Sequence, residues 1–190
     1  MSGRISRNFE DAVLCHMDLV YRMAVKLSGD ANDAEDLVQE TFLRAHRAFQ
    51  KFEFREYGAK PWLMRILHNA YFSRRSQAAK APSLLEDLSL DEIAIELDRP
   101  SAGSFKAGEV DWDGFDEELK AAMMSLSPEY REIILLWAIG GFSYKEIAEI
   151  AGCALGTVMS RLFRARQQLA QSLAKFASDH RYPGTIGGTT

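Results

Sequence analysis

Helical periodicity dominates the apolar residues of this chain and no alternating strand pattern persists anywhere, a habit that steers it away from sheets and barrels. Phe9, Val13, Met17, Val20, Tyr21, Ala24 and Leu27 form the first such series, and Ser28-Gly29 ends it with glycine at the left-handed closing position. Asn32 or Asp33 is placed to cap a second helix, with Glu35 and Asp36 in the first turn, where the macrodipole favours anions. That helix continues through Leu37, Phe42, Leu43 and Ala45 to about Phe49. Pro61 suits the first turn of a third. On its wheel Trp62, Leu63, Ile66, Leu67 and Ala70 share a packing face, while Arg65, His68, Asn69 and Phe72 fall on the other.

The periodicity lapses once for long. Residues 81–113 hold Pro82, Pro100 and several Gly and Ser among many acids, the composition of a linker with at most transient helix around Leu84 to Leu97. Helices resume near Phe115, and Ser127-Pro128-Glu129 starts one with serine as cap and proline first. The fold expected is all-α: a helical domain at 1–80, a linker at 81–114, a second helical domain at 115–178 and a disordered tail at 179–190. A hydrophobic share of 47% over 190 residues is enough for the cores. No apolar run has bilayer-crossing length and the first eleven residues lack a signal-peptide core, so the chain is expected in the cytoplasm, without membrane insertion. Cys15 and Cys153 lie in apolar helical patterns and read as buried small hydrophobes. The four histidines show no ligand spacing, so neither metal nor cofactor is expected.

Charge is where function begins to show. The net charge of −4 argues against a nucleic-acid partner only until its distribution is considered. Residues 57–85 contain no acid but include Lys60, Arg65, Arg74, Arg75 and Lys80, and residues 150–178 contain none but include Arg161, Arg164, Arg166 and Lys175. Between them, residues 86–118 carry the acids. Two basic surfaces kept clear of carboxylates are what contact with a phosphate backbone requires. The same clearance argues against a metal-dependent nuclease, which needs clustered carboxylates beside its DNA.

The second basic window contains a motif. Ser143 and Glu146 make a Ser-x-x-Glu capping box, and Phe142 is placed to staple onto Ile147. A short helix to Ile150, a glycine turn over Ala151-Gly152-Cys153-Ala154 and a longer helix from about Leu155 spell a helix-turn-helix. In that second helix Val158, Leu162, Ala165 and Leu169 line the core side. Gly156, Thr157, Ser160, Phe163 and Arg164 point away, flanked by Arg161 and Arg166, and offer donors to base edges and phosphates.

Gly156-Thr157-Val158-Met159-Ser160-Arg161-Leu162-Phe163-Arg164-Ala165-Arg166 resembles the recognition helix of extracytoplasmic-function sigma factors of the sigma-70 family, although Met159 stands where that family usually has a basic residue. The 33–42 stretch, Asp-Ala-Glu-Asp-Leu-Val-Gln-Glu-Thr-Phe, is similar to the family's polymerase-binding helix, and the 61–69 stretch, Pro-Trp-Leu-Met-Arg-Ile-Leu-His-Asn, to the helix that helps open the minus-ten element. The resemblance implies three sets of residues. Asp33, Asp36, Gln39 and Glu40 would meet core RNA polymerase. Lys60, Arg65, Asn69, Phe72, Arg74 and Arg75 would hold and open minus-ten promoter DNA, helped by the loop at 52–60. Gly156, Thr157, Ser160, Arg161, Phe163, Arg164 and Arg166 would read the minus-thirty-five element. It also implies an anti-sigma factor as a partner, a linker that threads the polymerase's RNA exit path, and no enzymatic activity. The alternative is a helix-turn-helix activator or repressor that needs no polymerase, which leaves the basic N-terminal window unexplained.

Overall fold

The computed structural model describes residues 9–52, 58–78 and 117–179, which form helices and no strand. The acidic linker, the tail from 180 and most of the loop at 52–60 lie outside the described residues. The chain divides into two compact units, Met1–Glu109 and Val110–Thr190.

The first unit contains α1 (Phe9–Val13), a 3-10 turn (Leu14–His16), α2 (Met17–Ser28), α3 (Ala31–Phe49) and α4 (Lys60–Ala78). The expected first helix is thus broken in two by one tighter turn. Gly29 ends α2 in the left-handed conformation, at φ 77°. Neither Asn32 nor Asp33 caps α3. Asp30 does so: its extended backbone lets Oδ1 accept from the Asn32 and Asp33 amides at 2.8 and 3.0 Å, satisfying two of the donors a helix start leaves open.

Val20, Met23, Ala24 and Leu27 of α2 are fully enclosed against Ala34, Leu37 and Ala45 of α3 and Leu63, Met64, Leu67 and Ala70 of α4. Tyr71 joins this core and donates its hydroxyl to the Leu27 carbonyl oxygen at 3.1 Å. Thr41, also buried, returns its hydroxyl to the Leu37 carbonyl at 2.7 Å. The packed face of α4 is therefore rotated from the expected one. Trp62 and Ile66 are only half-buried, because Trp62 stacks on Phe52 at 4.3 Å in an aromatic cluster that extends to Phe49 and Phe9.

The second unit contains α5 (Glu117–Ser125), α6 (Pro128–Ala138), α7 (Tyr144–Ala151) and α8 (Leu155–Asp179). Ile133, Leu135, Leu136, Ile147, Ile150, Val158, Leu162 and Ala165 form its core. Arg131 is buried in it. Its Nε donates to the Met123 carbonyl at 3.0 Å and its Nη2 to those of Met124 and Leu126 at 2.7 and 3.1 Å, so a charged donor satisfies the carbonyls that the end of α5 leaves open. Ser127 caps α6 as the sequence suggests. The turn after α6 needs a residue without a side chain at 140, since a Cβ there would lie 2.4 Å from the Phe142 ring and 2.6 Å from the Leu136 carbonyl oxygen.

Candidate nucleic-acid and polymerase interfaces

The helix-turn-helix follows from local chemistry. Ser143 accepts from the Glu146 amide while Glu146 accepts from the Ser143 amide at 2.8 Å, so both partners of the capping box are in place. Phe142 and Ile147, the two ends of the staple, are both buried. Gly152 closes α7 at φ 63°, where a residue with a Cβ would be strained, and its amide reaches back to the Ala148 carbonyl.

On α8, Val158, Leu162 and Ala165 are buried and Leu169 half-buried, as the wheel requires. Gly156, Phe163 and Arg164 are exposed, and Thr157, Ser160 and Arg161 are half-exposed. A Cβ at Gly156 would meet nothing within 4 Å, so open space lies beside the helix start. Phe163 is 49% exposed, far more than an aromatic needs for packing. Arg166 differs from its neighbours. Its guanidinium sits 4.2 Å above the Trp137 ring, which makes it a strut between α8 and α6.

At the same turn, burial raises the Cys153 thiol above its ordinary pKa, a shift that Arg161 opposes and Glu132 reinforces. Both cysteines are free. Cys15 is exposed, contrary to the buried reading, because it falls in the 3-10 turn rather than on the packed side of a helix.

In the first unit the expected minus-ten residues divide by environment. Arg65 and Asn69 are exposed one turn apart on α4. Phe72 shares their side but is half-buried, its ring 4.7 Å from His68 and 5.1 Å from Tyr71. Arg75 is exposed and lies 5.9 Å from the Tyr71 ring centre. Lys60 is half-buried at the start of α4. Burial and, to a smaller degree, the Lys60 charge depress the His16 pKa below its ordinary 6.5.

Arg74 is engaged by α3. Its Nη2 donates to Asp36 Oδ2 at 3.2 Å, its Nε lies 3.4 Å from Glu40 Oε2, and its Nη1 donates to the Asp33 carbonyl oxygen at 3.4 Å. The second Glu40 oxygen pairs with Arg44. Arg74 and Asp33 also line an open cleft of about 220 Å³ over Leu37 and Tyr71. The expected polymerase and DNA sets thus meet in one ion-pair network, which no helical wheel foretells because Arg74 and its carboxylate partners lie on different helices, Asp36 being 38 residues away in the chain. Asp33, Asp36 and Gln39 are exposed. One turn on, Leu43 is 57% exposed, although the periodicity had counted it among the apolar positions of the helix. Among the described residues no cluster of His, Cys, Asp or Glu could hold a metal ion, and no helix is long and apolar enough to cross a membrane.

Comparison with known proteins bears on both units. Residues 12–81 match the family model for sigma-70 region 2, and residues 116–169 the one for sigma-70 region 4. The chain is 38% identical over 90% of its length to the ECF RNA polymerase sigma factor SigE of Mycolicibacterium smegmatis, of which it spans 64%. It is 34% identical over 97% of its length to the ECF RNA polymerase sigma factor EcfG of Rhodopseudomonas palustris, of which it spans 98%. Among solved structures it resembles the sigma factor RpoE of Bartonella quintana, crystallised with the anti-sigma factor NepR, at 31% identity and a TM-score of 0.65, covering 87% of this chain and 96% of that one.

Proposed function

The chain belongs to the sigma-70 family, in its extracytoplasmic-function group, and from that membership we propose that it binds core RNA polymerase, recognises promoter DNA and promotes strand opening at transcription initiation. It is a regulator of transcription, and the proposal assigns it no chemical step of its own. A protein with these partners works in the cytoplasm, where polymerase and chromosome are. An anti-sigma factor is a further proposed partner, supported by the likeness to a sigma factor crystallised with one.

The work divides between the units. Residues 1–80 are assigned to polymerase and the minus-ten element, 81–114 to the linker and 115–178 to the minus-thirty-five element. The observation that carries the reading is the outward side of α8, where Gly156, Thr157, Ser160, Arg161, Phe163 and Arg164 stand exposed or half-exposed on a helix start free of acids. An α-helix of this kind fits the major groove, with Arg161 and Arg164 supplying guanidinium donors to guanine edges or phosphates. Arg166, engaged by Trp137, supports the helix from behind.

On α3, Asp36, Gln39 and Glu40 offer an anionic edge to a basic partner surface, as electrostatic pairing between proteins requires. On α4, Arg65 is suited to phosphate, and Asn69 and Phe72 to a base turned out of the stack. Stacking on an aromatic side chain contributes about 1–3 kcal/mol, comparable to the few that unstacking costs.

Run-off transcription tests the whole reading. Core polymerase alone should be silent on a cognate promoter and active once the chain is added, and the chain alone should fail to shift the same duplex. Strong polymerase-independent binding would instead favour the duplex-binding regulator.

A further inference from the structure

We propose that Arg74 serves the polymerase-docking edge of α3 rather than the DNA side of α4, as a positioning residue that fixes Asp36 and Glu40 in the orientation in which they meet a basic partner. The proposal rests on the docking role assigned to α3 above.

Helical geometry already separates Arg74 from Arg65, Asn69 and Phe72. It follows Arg65 by nine residues, and at 3.6 residues per turn nine steps bring the chain half-way round the helix. Arg74 therefore leaves α4 on the side opposite Arg65 and well away from Asn69. That side faces α3, and Arg74 meets three α3 groups there: the carboxylates of Asp36 and Glu40 and the Asp33 carbonyl oxygen.

The arrangement leaves the carboxylates usable. An ionised carboxyl group can accept about four hydrogen bonds. Asp36 gives one site to Arg74 and keeps 63% of its side chain exposed. Glu40 is gripped from both sides, by Arg44 at one oxygen and Arg74 at the other, with acceptor sites left over. Ion pairs this exposed add little to fold stability. Their effect is on orientation: two flexible acidic side chains are held before a partner arrives, and each side chain ordered in advance improves affinity about two- to tenfold. The planar fork of arginine suits the task, since it reaches both carboxylates and the carbonyl from one head group, whereas a lysine ammonium is a point charge.

Titrating labelled full-length protein with core polymerase tests the assignment. Arg74→Ala should weaken binding about three- to tenfold with the melting midpoint in place, and Arg74→Lys should fall between it and wild type. In an Asp36→Asn, Glu40→Gln background, Arg74→Ala should change nothing further, because the groups it orients are gone. At saturating polymerase, open-complex formation by Arg74→Ala should recover. Arg74→Gln, which keeps the packed stem, takes its place should the Ala variant melt early. Unchanged or tighter binding by Arg74→Ala overturns the proposal, the latter by showing that the arginine competes with the partner. So does normal affinity with slow opening at saturation, which returns Arg74 to the DNA. The Asp36→Lys, Glu40→Lys variant separates the two levels. If it binds polymerase normally, the docking role of α3 itself is wrong. If it fails to bind while Arg74→Ala binds normally, only the role of Arg74 is.

Discussion

Leu37 and Leu43 belong to the same helix and the same apolar series, yet only one is in the core. Leu37 is enclosed between α2 and α4, so Leu37→Ala should cost about 2–5 kcal/mol in urea unfolding through lost burial and a cavity. Leu43→Ala should stay within about 0.5 kcal/mol of wild type, as substitutions at exposed sites do. Equal losses at the two positions would mean that Leu43 packs in solution. Arg131 makes the converse point. A buried arginine holding three carbonyls is not a DNA contact, whatever its charge, and Arg131→Met should destabilise the second unit by about 2–3 kcal/mol because those acceptors lose a charged donor. At this scale the sequence was legible where partners are near in the chain, as with Ser143 and Glu146, and opaque where a side chain reaches another helix, as with Arg74 and Arg166. Asp30 was missed for a smaller reason: three acceptable caps stood within four residues, and only backbone conformation chose among them.

Among elements, α4 joins two tasks through two sides. Asn69→Ala and Phe72→Ala should leave closed complexes near normal and slow strand separation, seen as fewer permanganate-reactive thymines, and a promoter already mismatched at the minus-ten element should restore activity. Equal defects on both templates would move these residues to docking or folding. The half-burial of Phe72 against His68 and Tyr71 makes Asn69 the cleaner of the two probes. The 3-10 turn before α2 has a consequence in pH. Because the His16 pKa is lowered in the fold, the unfolded chain takes up that proton more readily, and the stability His16 contributes is whole above about pH 6.5 and is lost as pH falls through the lower folded value. His16→Gln should flatten that part of the stability profile, and identical slopes in the two proteins would show that the shift is absent. The break in the first helix could not be foreseen from Leu14, Cys15 and His16, none of which is a helix breaker.

For the whole molecule, the two-unit plan was legible because long periodic stretches and an acidic interruption are properties of the chain itself. The helix-turn-helix was legible for the same reason: its caps, staple and glycine are all local. The rotation of the α4 core was not, since Trp62 left the wheel's inward face to join Phe49 at the end of α3 and Phe52 three residues beyond it. Replacing Arg161 or Arg164 with Ala should weaken promoter use by about 1–3 kcal/mol for a base contact, or reduce the salt dependence for a phosphate contact. Unchanged transcription and unchanged salt slope in both would take recognition away from α8.

The strut between α6 and α8 also makes the second unit a reporter of its own state. Trp137 emits under the field of a guanidinium 4.2 Å above its ring, so its fluorescence is tied to the position of α8. With Trp62 and Trp112 replaced by Phe, the remaining emission of the isolated protein would follow that one helix as the second unit loosens or unfolds, without any label attached.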